Sequence, residues 1–177
     1  ALRKYRLLGL RKVLQDHLYE DRLDYVVKKV FGKSMKKKLP EIVSVANAHN
    51  PDDAGRIIAS YKKQSYINKC LYIIVNNDFQ IYSDSEDINI IDEAESRNKL
   101  SREFNSDDYI AVISPDDYYG CNYFLDLILT TRYGDFSGIG KGNCCKGANA
   151  VLEVDEKTDF RYKYVNELHK ERSIFKI

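Results

Sequence analysis

The sequence predicts an α/β domain, a mostly parallel sheet flanked by helices, preceded by a helical arm. Three observations carry this. Short β-branched runs of the buried-strand type recur at residues 42–45, 71–75, 88–91 and 109–113. Helical patterns lie between them, and strand, helix, strand in close succession is a βαβ unit, which favours parallel pairing. At Pro40 the pattern breaks abruptly from helical spacing to strand, and the charge balance breaks with it.

Residues 1–39 form the arm. Leu7, Leu10, Leu14 and Leu18 make one apolar stripe and Leu23, Val26, Val27, Val30 and Phe31 a second, so two short helices are expected, giving way at Gly32 to Lys36-Lys37-Lys38. The arm holds 12 Lys/Arg against 4 Asp/Glu, a balance of +8, leaving 16 against 23, or −7, for residues 40–177. Two readings stand: peripheral attraction to anionic lipid or a partner, and a linker helix pair within a larger protein, which is preferred.

Residues 40–177 form the second domain. After the first strand, Asn50-Pro51-Asp52-Asp53 reads as an N-cap, a proline in the first helical position and acids in the first turn. That helix runs to about Lys63 with Ile57, Ile58 and Tyr61 toward the core. The second strand closes at Asn76-Asn77-Asp78, and further helices are expected at 93–104, 122–132 and 162–170.

Hydrophobic residues make up 44% and charged residues 31%, an ordinary soluble mix, and no apolar run approaches the roughly 20 residues of a bilayer span. The chain begins at Ala1 without a signal-peptide pattern, so a piece excised from a longer protein is expected. Cys70, Cys121, Cys144 and Cys145 form no CxxC pair, which suggests a reduced, cytoplasmic compartment and small packing residues. His17, His49 and His169 are too scattered for a metal constellation, although His49 adjoins the first strand end. No Walker loop or dinucleotide fingerprint occurs, since Gly138, Gly140 and Gly142 follow the wrong element, and no nucleic-acid partner is expected.

The chemistry concentrates at Asp116-Asp117, directly after the strand 109–113. In open α/β sheets ligands bind outside the carboxyl ends of strands. Adjacent carboxylates there repel one another unless a cation neutralises them, and oxygen donors with substrate phosphates suit magnesium or manganese. The competing reading is an ordinary helix cap.

Several segments resemble the family 2 inverting glycosyltransferases of GT-A fold, in particular bacterial enzymes of capsular and teichoic-acid-like polysaccharide synthesis. They are Pro40-Glu41-Ile42-Val43-Ser44-Val45, Ser60-Tyr61-Lys62-Lys63-Gln64-Ser65-Tyr66, the strand Leu71 to Val75 with Asn76-Asn77-Asp78, Glu95-Ser96-Arg97-Asn98, Asp108-Tyr109-Ile110-Ala111-Val112-Ile113-Ser114-Pro115-Asp116-Asp117, Tyr118-Tyr119-Gly120, and Gly138-Ile139-Gly140-Lys141. The resemblance implies that Ala46, Asn47, Asn76, Asn77 and Asp78 contact the base and ribose of a nucleotide-diphosphate sugar, such as a UDP-sugar. It implies that Arg97 reaches the diphosphate or the base, and that Asp116 and Asp117 hold ribose and a Mn2+ or Mg2+ ion. Tyr118 and Tyr119 would offer sugar-stacking platforms.

Departures from the pattern matter. Ser114 stands where the family has its first carboxylate, and Asn76 and Asn77 replace a typical Asp pair. Inverting transfer needs a general base, but no "GED"-like segment occurs; Asp159 is the candidate base. The expected function is sugar transfer to a surface polysaccharide, with a glycan or polyol-phosphate acceptor, in the cytoplasm or at the inner face of the membrane. The alternatives are a catalytically incomplete domain acting as an interaction module, and a nucleotidyltransferase.

Overall fold

The computed structural model of the chain describes residues 2–75, 85–100, 104–142, 145–148, 151–154 and 163–177. Two helices, α1 (Leu2–Asp16) and α2 (Tyr19–Phe31), precede β1 (Ile42–Ala48), α3 (Pro51–Lys62), β2 (Lys69–Val75), β3 (Ile88–Asp92), α4 (Glu93–Leu100) and β4 (Tyr109–Val112). Then follow α5 (Tyr123–Ile128), a 3-10 turn at Leu129–Arg132, β5 (Gly138–Gly140), β6 (Cys145–Ala148), β7 (Val151–Val154), a 3-10 turn at Lys170–Arg172 and β8 (Ser173–Lys176).

Six strands form one mixed sheet in the order β3-β2-β1-β4-β8-β5, and β6 pairs antiparallel with β7 in a separate two-stranded sheet. The first four strands are parallel, as the sequence predicts. The sheet as a whole is only partly parallel, because β8 lies antiparallel to both β4 and β5. This corrects the expected helix at 162–170: residues 163–169 are not helical, and the chain enters β8 through the 3-10 turn. The open edge of β4 supplies backbone partners that a terminal helix would leave unused, and Ile174 is fully buried there. Gly140 suits this insertion, since a side chain on it would push aside the Ser173 hydroxyl and the end of Leu168.

β1 is buried on both faces, as a parallel strand covered by helices on each side must be. Ile42, Ala46 and Ala48 join Leu71, Ile73, Ala111 and Ile113 in the main core, against Ala54, Ile57 and Tyr61 of α3 and Phe124, Leu127 and Ile128 of α5. Val43 turns to the other face with Tyr72 and Ile91, where Leu100 of α4 and Phe104 cover them. The crossovers β1-α3-β2 and β3-α4-β4 run in opposite directions across the sheet, so their helices occupy opposite faces, as right-handed connections require.

The expected helix at 122–132 is α-helical only to Ile128 and tightens to a 3-10 turn, where the Thr131 hydroxyl donates to the Ile128 carbonyl at 2.7 Å. Among the described residues no helix is long and apolar enough to cross a membrane.

The arm is fastened to the body. Leu14 reaches the main core and Leu18 packs at its edge. The Arg11 guanidinium grips Asp126 of α5 with two hydrogen bonds, one of 2.9 Å, and Lys141 adds a third at 2.8 Å. Burial pushes the Asp126 carboxyl up, but those cations more than compensate and hold it below the usual carboxylate range. Gly32, in the left-handed region at φ 71°, ends α2 by donating its N–H to the Lys28 carbonyl.

The second fastening is Asp21, which pairs with Arg132 at 3.0 Å and Lys36 at 2.7 Å; the Asp21 and Arg132 side chains are only 6% and 7% exposed. Burial raises the Asp21 carboxyl, while Lys36, Arg132 and the Leu18 N–H outweigh it and bring it down to about 2. Asp21→Ala is expected to cost about 2 kcal/mol in urea denaturation, between an exposed pair and a fully buried one. Since the folded value lies below the unfolded one of roughly 3.9, this contribution is complete above about pH 4 and fades as pH falls toward 2. The Asp21→Ala protein should therefore lose less stability than the parent across that window.

Candidate functional site

The strand order reverses between β1 and β4: from β1 the chain moves to β2 and β3 on one side, then returns to β4 on the other. Such a switch point leaves a crevice at the carboxyl ends of the two strands. Here it is enlarged by unequal lengths. β1 pairs with β2 along all seven residues but with β4 only from Ile42 to Val45, so Ala46, Asn47 and Ala48 are paired on one side alone. Asn47 is exposed at this edge, whereas the side chain of Ala46 is buried in the core and leaves only backbone to offer a ligand.

One wall of the crevice is the start of α3. The Asn50 side chain accepts from the Asp53 N–H at 2.8 Å, and Asp53 in return accepts from the His49 N–H at 3.2 Å, which fixes the exit from β1. Asp53 also takes Arg56 Nη2 at 2.7 Å, and Arg56 Nη1 extends to Asp116 Oδ1 at 3.3 Å. The Asp53 carboxyl feels burial upward, but the His49 N–H and Arg56 prevail and keep it below the usual carboxylate range.

The other wall is the segment after β4. Ser114 shapes it: its N–H donates to the Tyr119 hydroxyl at 3.1 Å, its Oγ accepts from the Asp116 N–H at 3.2 Å, and its carbonyl accepts from the Asp117 N–H at 3.4 Å. That is a turn with Pro115 at its second position. Asp116, Asp117 and Tyr118 are all exposed on it. Lys63 Nζ bonds the Tyr118 hydroxyl at 2.7 Å.

Tyr119 does not offer the stacking platform the sequence suggested. It is buried against Tyr123, with ring centroids 5.0 Å apart, and burial raises its hydroxyl to about 12. Its work is structural, anchoring the turn that presents the two acids.

The carboxyl ends of β1 and β4 thus lead into Asn47 on one strand and Asp116 and Asp117 on the other, and Arg56 of α3 reaches Asp116. Arg97 lies in α4, and its side chain, like Asn76, Asn77, Asp78 and Asp159, lies outside the described residues. Among the described residues no group of three His, Cys, Asp or Glu side chains is close enough to hold a metal ion. Two carboxylates are present, and the remaining oxygens for a hard cation would come from phosphate and water.

Arg56 and Lys63 were not anticipated as site residues. On α3 and at its end they read as ordinary solvated cations, and only the fold brings the segment after β4 beside them. Gln64 belongs to the same group: buried, it donates to the Ser60 and Gly120 carbonyls at 3.3 and 3.1 Å and accepts from the Phe124 N–H at 3.2 Å. A separate groove of about 1140 Å³, lined by Leu23, Lys36, Asp108 and Lys176 among others, opens at the amino ends of the strands. It lies on the wrong edge for a ligand of an open α/β sheet.

Gln64→Leu is expected to keep the packing yet strand the Phe124 N–H and Gly120 carbonyl, lowering stability by about 2–3 kcal/mol in chemical denaturation. No protein-family model matches the chain, and no curated protein sequence matches it either.

Proposed function

We propose that this chain is the donor-binding domain of an inverting glycosyltransferase of GT-A type, taking a nucleotide-diphosphate sugar and passing the sugar to a surface or cell-wall glycan in the cytoplasm. The observation that carries the reading is the exposed Asp116-Asp117 turn at the switch point between β1 and β4, opposite the capped start of α3. The order of segments resembling the family supports it from the sequence side.

On this reading Asn47 presents amide donor and acceptor groups to the base or ribose at the open edge of β1. Asp117, with Asp116, supplies oxygens of the kind that hold magnesium or manganese, and such an ion offsets the charge of a leaving diphosphate. Arg56 is the protein's own cation at the site, placed to meet phosphate oxygens once it lets go of Asp116. The two acids in the first turn of α3, Asp52 and Asp53, make that helix terminus a poor anion site. Among the described residues phosphate recognition therefore falls to Arg56, alongside the role that the resemblance gives Arg97.

One observation favours the second reading, an incomplete transferase-like domain acting as an interaction module: Asp116 already has a cationic partner in Arg56. Calorimetric titration of UDP with and without manganese separates the two. Manganese should tighten UDP binding, and Asp117→Ala should remove at least about tenfold of that gain, or roughly 1.4 kcal/mol. Arg56→Ala should weaken UDP in both conditions. Absence of UDP binding, or binding indifferent to Asp117→Ala, rejects the donor site. Pyrophosphate release from a nucleoside triphosphate would instead support a nucleotidyltransferase.

A further inference from the structure

α2 is mounted with its apolar side outward. None of its residues is buried. Tyr19, Leu23, Val26 and Val30, spaced four, three and four apart, make one stripe, and they are 83%, 56%, 54% and 67% exposed. A helix lying on a domain normally turns such a stripe inward. Here polar residues make the attachment: Asp21 and, at 3.8 Å, Glu20 meet Arg132 of the body, while Asp24 ties the helix to the segment that follows it, accepting from the Ser34 hydroxyl and from the backbone N–H groups of Met35 and Lys36. The helix is fixed by its acids and leaves its hydrophobic side to solvent.

The charge left around that stripe is positive. Residues 19–38 carry seven Lys/Arg against three Asp/Glu, and all three acids are engaged, Glu20 and Asp21 by Arg132 and Asp24 by Ser34. Arg22 and Lys29 border the stripe, at helical spacings of four and three from Val26, where long side chains can lift their charges to a polar boundary. Lys28, Lys33, Lys37 and Lys38 are exposed nearby in sequence. α1 adds exposed Leu2, Tyr5 and Leu8 alongside Lys4 and Arg6.

We infer that this face of the arm docks on an anionic phospholipid surface, with the α2 stripe in the interface and the lysines at the headgroups. An apolar stripe bordered by cations is the pattern of an interfacial helix, and each Lys or Arg near an anionic surface multiplies binding by about fivefold. A symmetric contact between two copies would instead bring the Arg22 and Lys29 side chains of the two faces together, and like charges oppose it. The inference is independent of what the crevice binds.

Co-sedimentation of the full chain with vesicles tests it. Binding should be strong to phosphatidylcholine vesicles containing about one-third phosphatidylglycerol, weak to pure phosphatidylcholine, and reduced by added salt. Val26→Glu/Val30→Glu and Lys37→Glu/Lys38→Glu should each lower binding at least about tenfold, with unchanged circular dichroism, because all four side chains are exposed. Equal binding to neutral vesicles, no binding to anionic ones, or full binding by either variant overturns the inference. So does a concentration-dependent dimer in sedimentation velocity that Val26→Glu/Val30→Glu dissolves while vesicles bind nothing.

Discussion

Everything in the sheet is registered on β1, which must satisfy hydrogen bonds on both edges and apolar packing on both faces. Its seven residues are matched in full by β2 and only in part by the four of β4. The crevice is the direct result of that mismatch. β4 stops where it does because Pro115 has no N–H to continue a ladder, and because the Ser114 N–H, the last donor before it, is taken by the Tyr119 hydroxyl. A buried tyrosine and a proline thus decide where the acidic pair emerges, and β1 decides what it emerges beside.

Among the described residues the arm is held by ionic contacts of opposite sense at Asp126 and at Arg132. Arg11 brings a cation to the body's Asp126, and Asp21 brings an acid to the body's Arg132. Neither is a large source of stability, since desolvation offsets much of the attraction. Crossed polarity does fix orientation: rotating the arm would set like charges together. With α2 oriented by its acids, its apolar stripe has no route to the core, and an otherwise ordinary amphipathic helix is left facing outward.

The parallel half of the fold was legible because its strands are buried on both faces and so appear as continuous apolar runs, and because Asn50-Pro51-Asp52-Asp53 spells a helix start in local chemistry. β8 was not. Ser-Ile-Phe-Lys is too short to carry a period, and its partner Tyr109–Val112 lies some sixty residues earlier in the chain. The acids of the crevice were found from their position after a strand. Arg56 was not, because nothing local distinguishes it from the other exposed cations of α3. Tyr119 was misread for a related reason: adjacent tyrosines look alike in sequence, whereas the turn sends Tyr118 to solvent and Tyr119 into the core.

The pairing of Arg56 with Asp116 bears on the crevice as a ligand site. Arg56 is shared unequally. Its contact with Asp53 is 2.7 Å to a buried acid, while that with Asp116 is 3.3 Å to a carboxylate mostly open to water. An exposed ion pair of the second kind is worth about 0–1 kcal/mol, less than a divalent ion or a diphosphate gains by charge-assisted contacts. Its loss therefore costs a ligand little. The contact with Asp53 would still tether the guanidinium at the rim after Asp116 is released, so the cation that masks the acid is also the one held ready for phosphate. On these strengths the pairing is a resting arrangement of the crevice, and it does not block the donor site proposed for it.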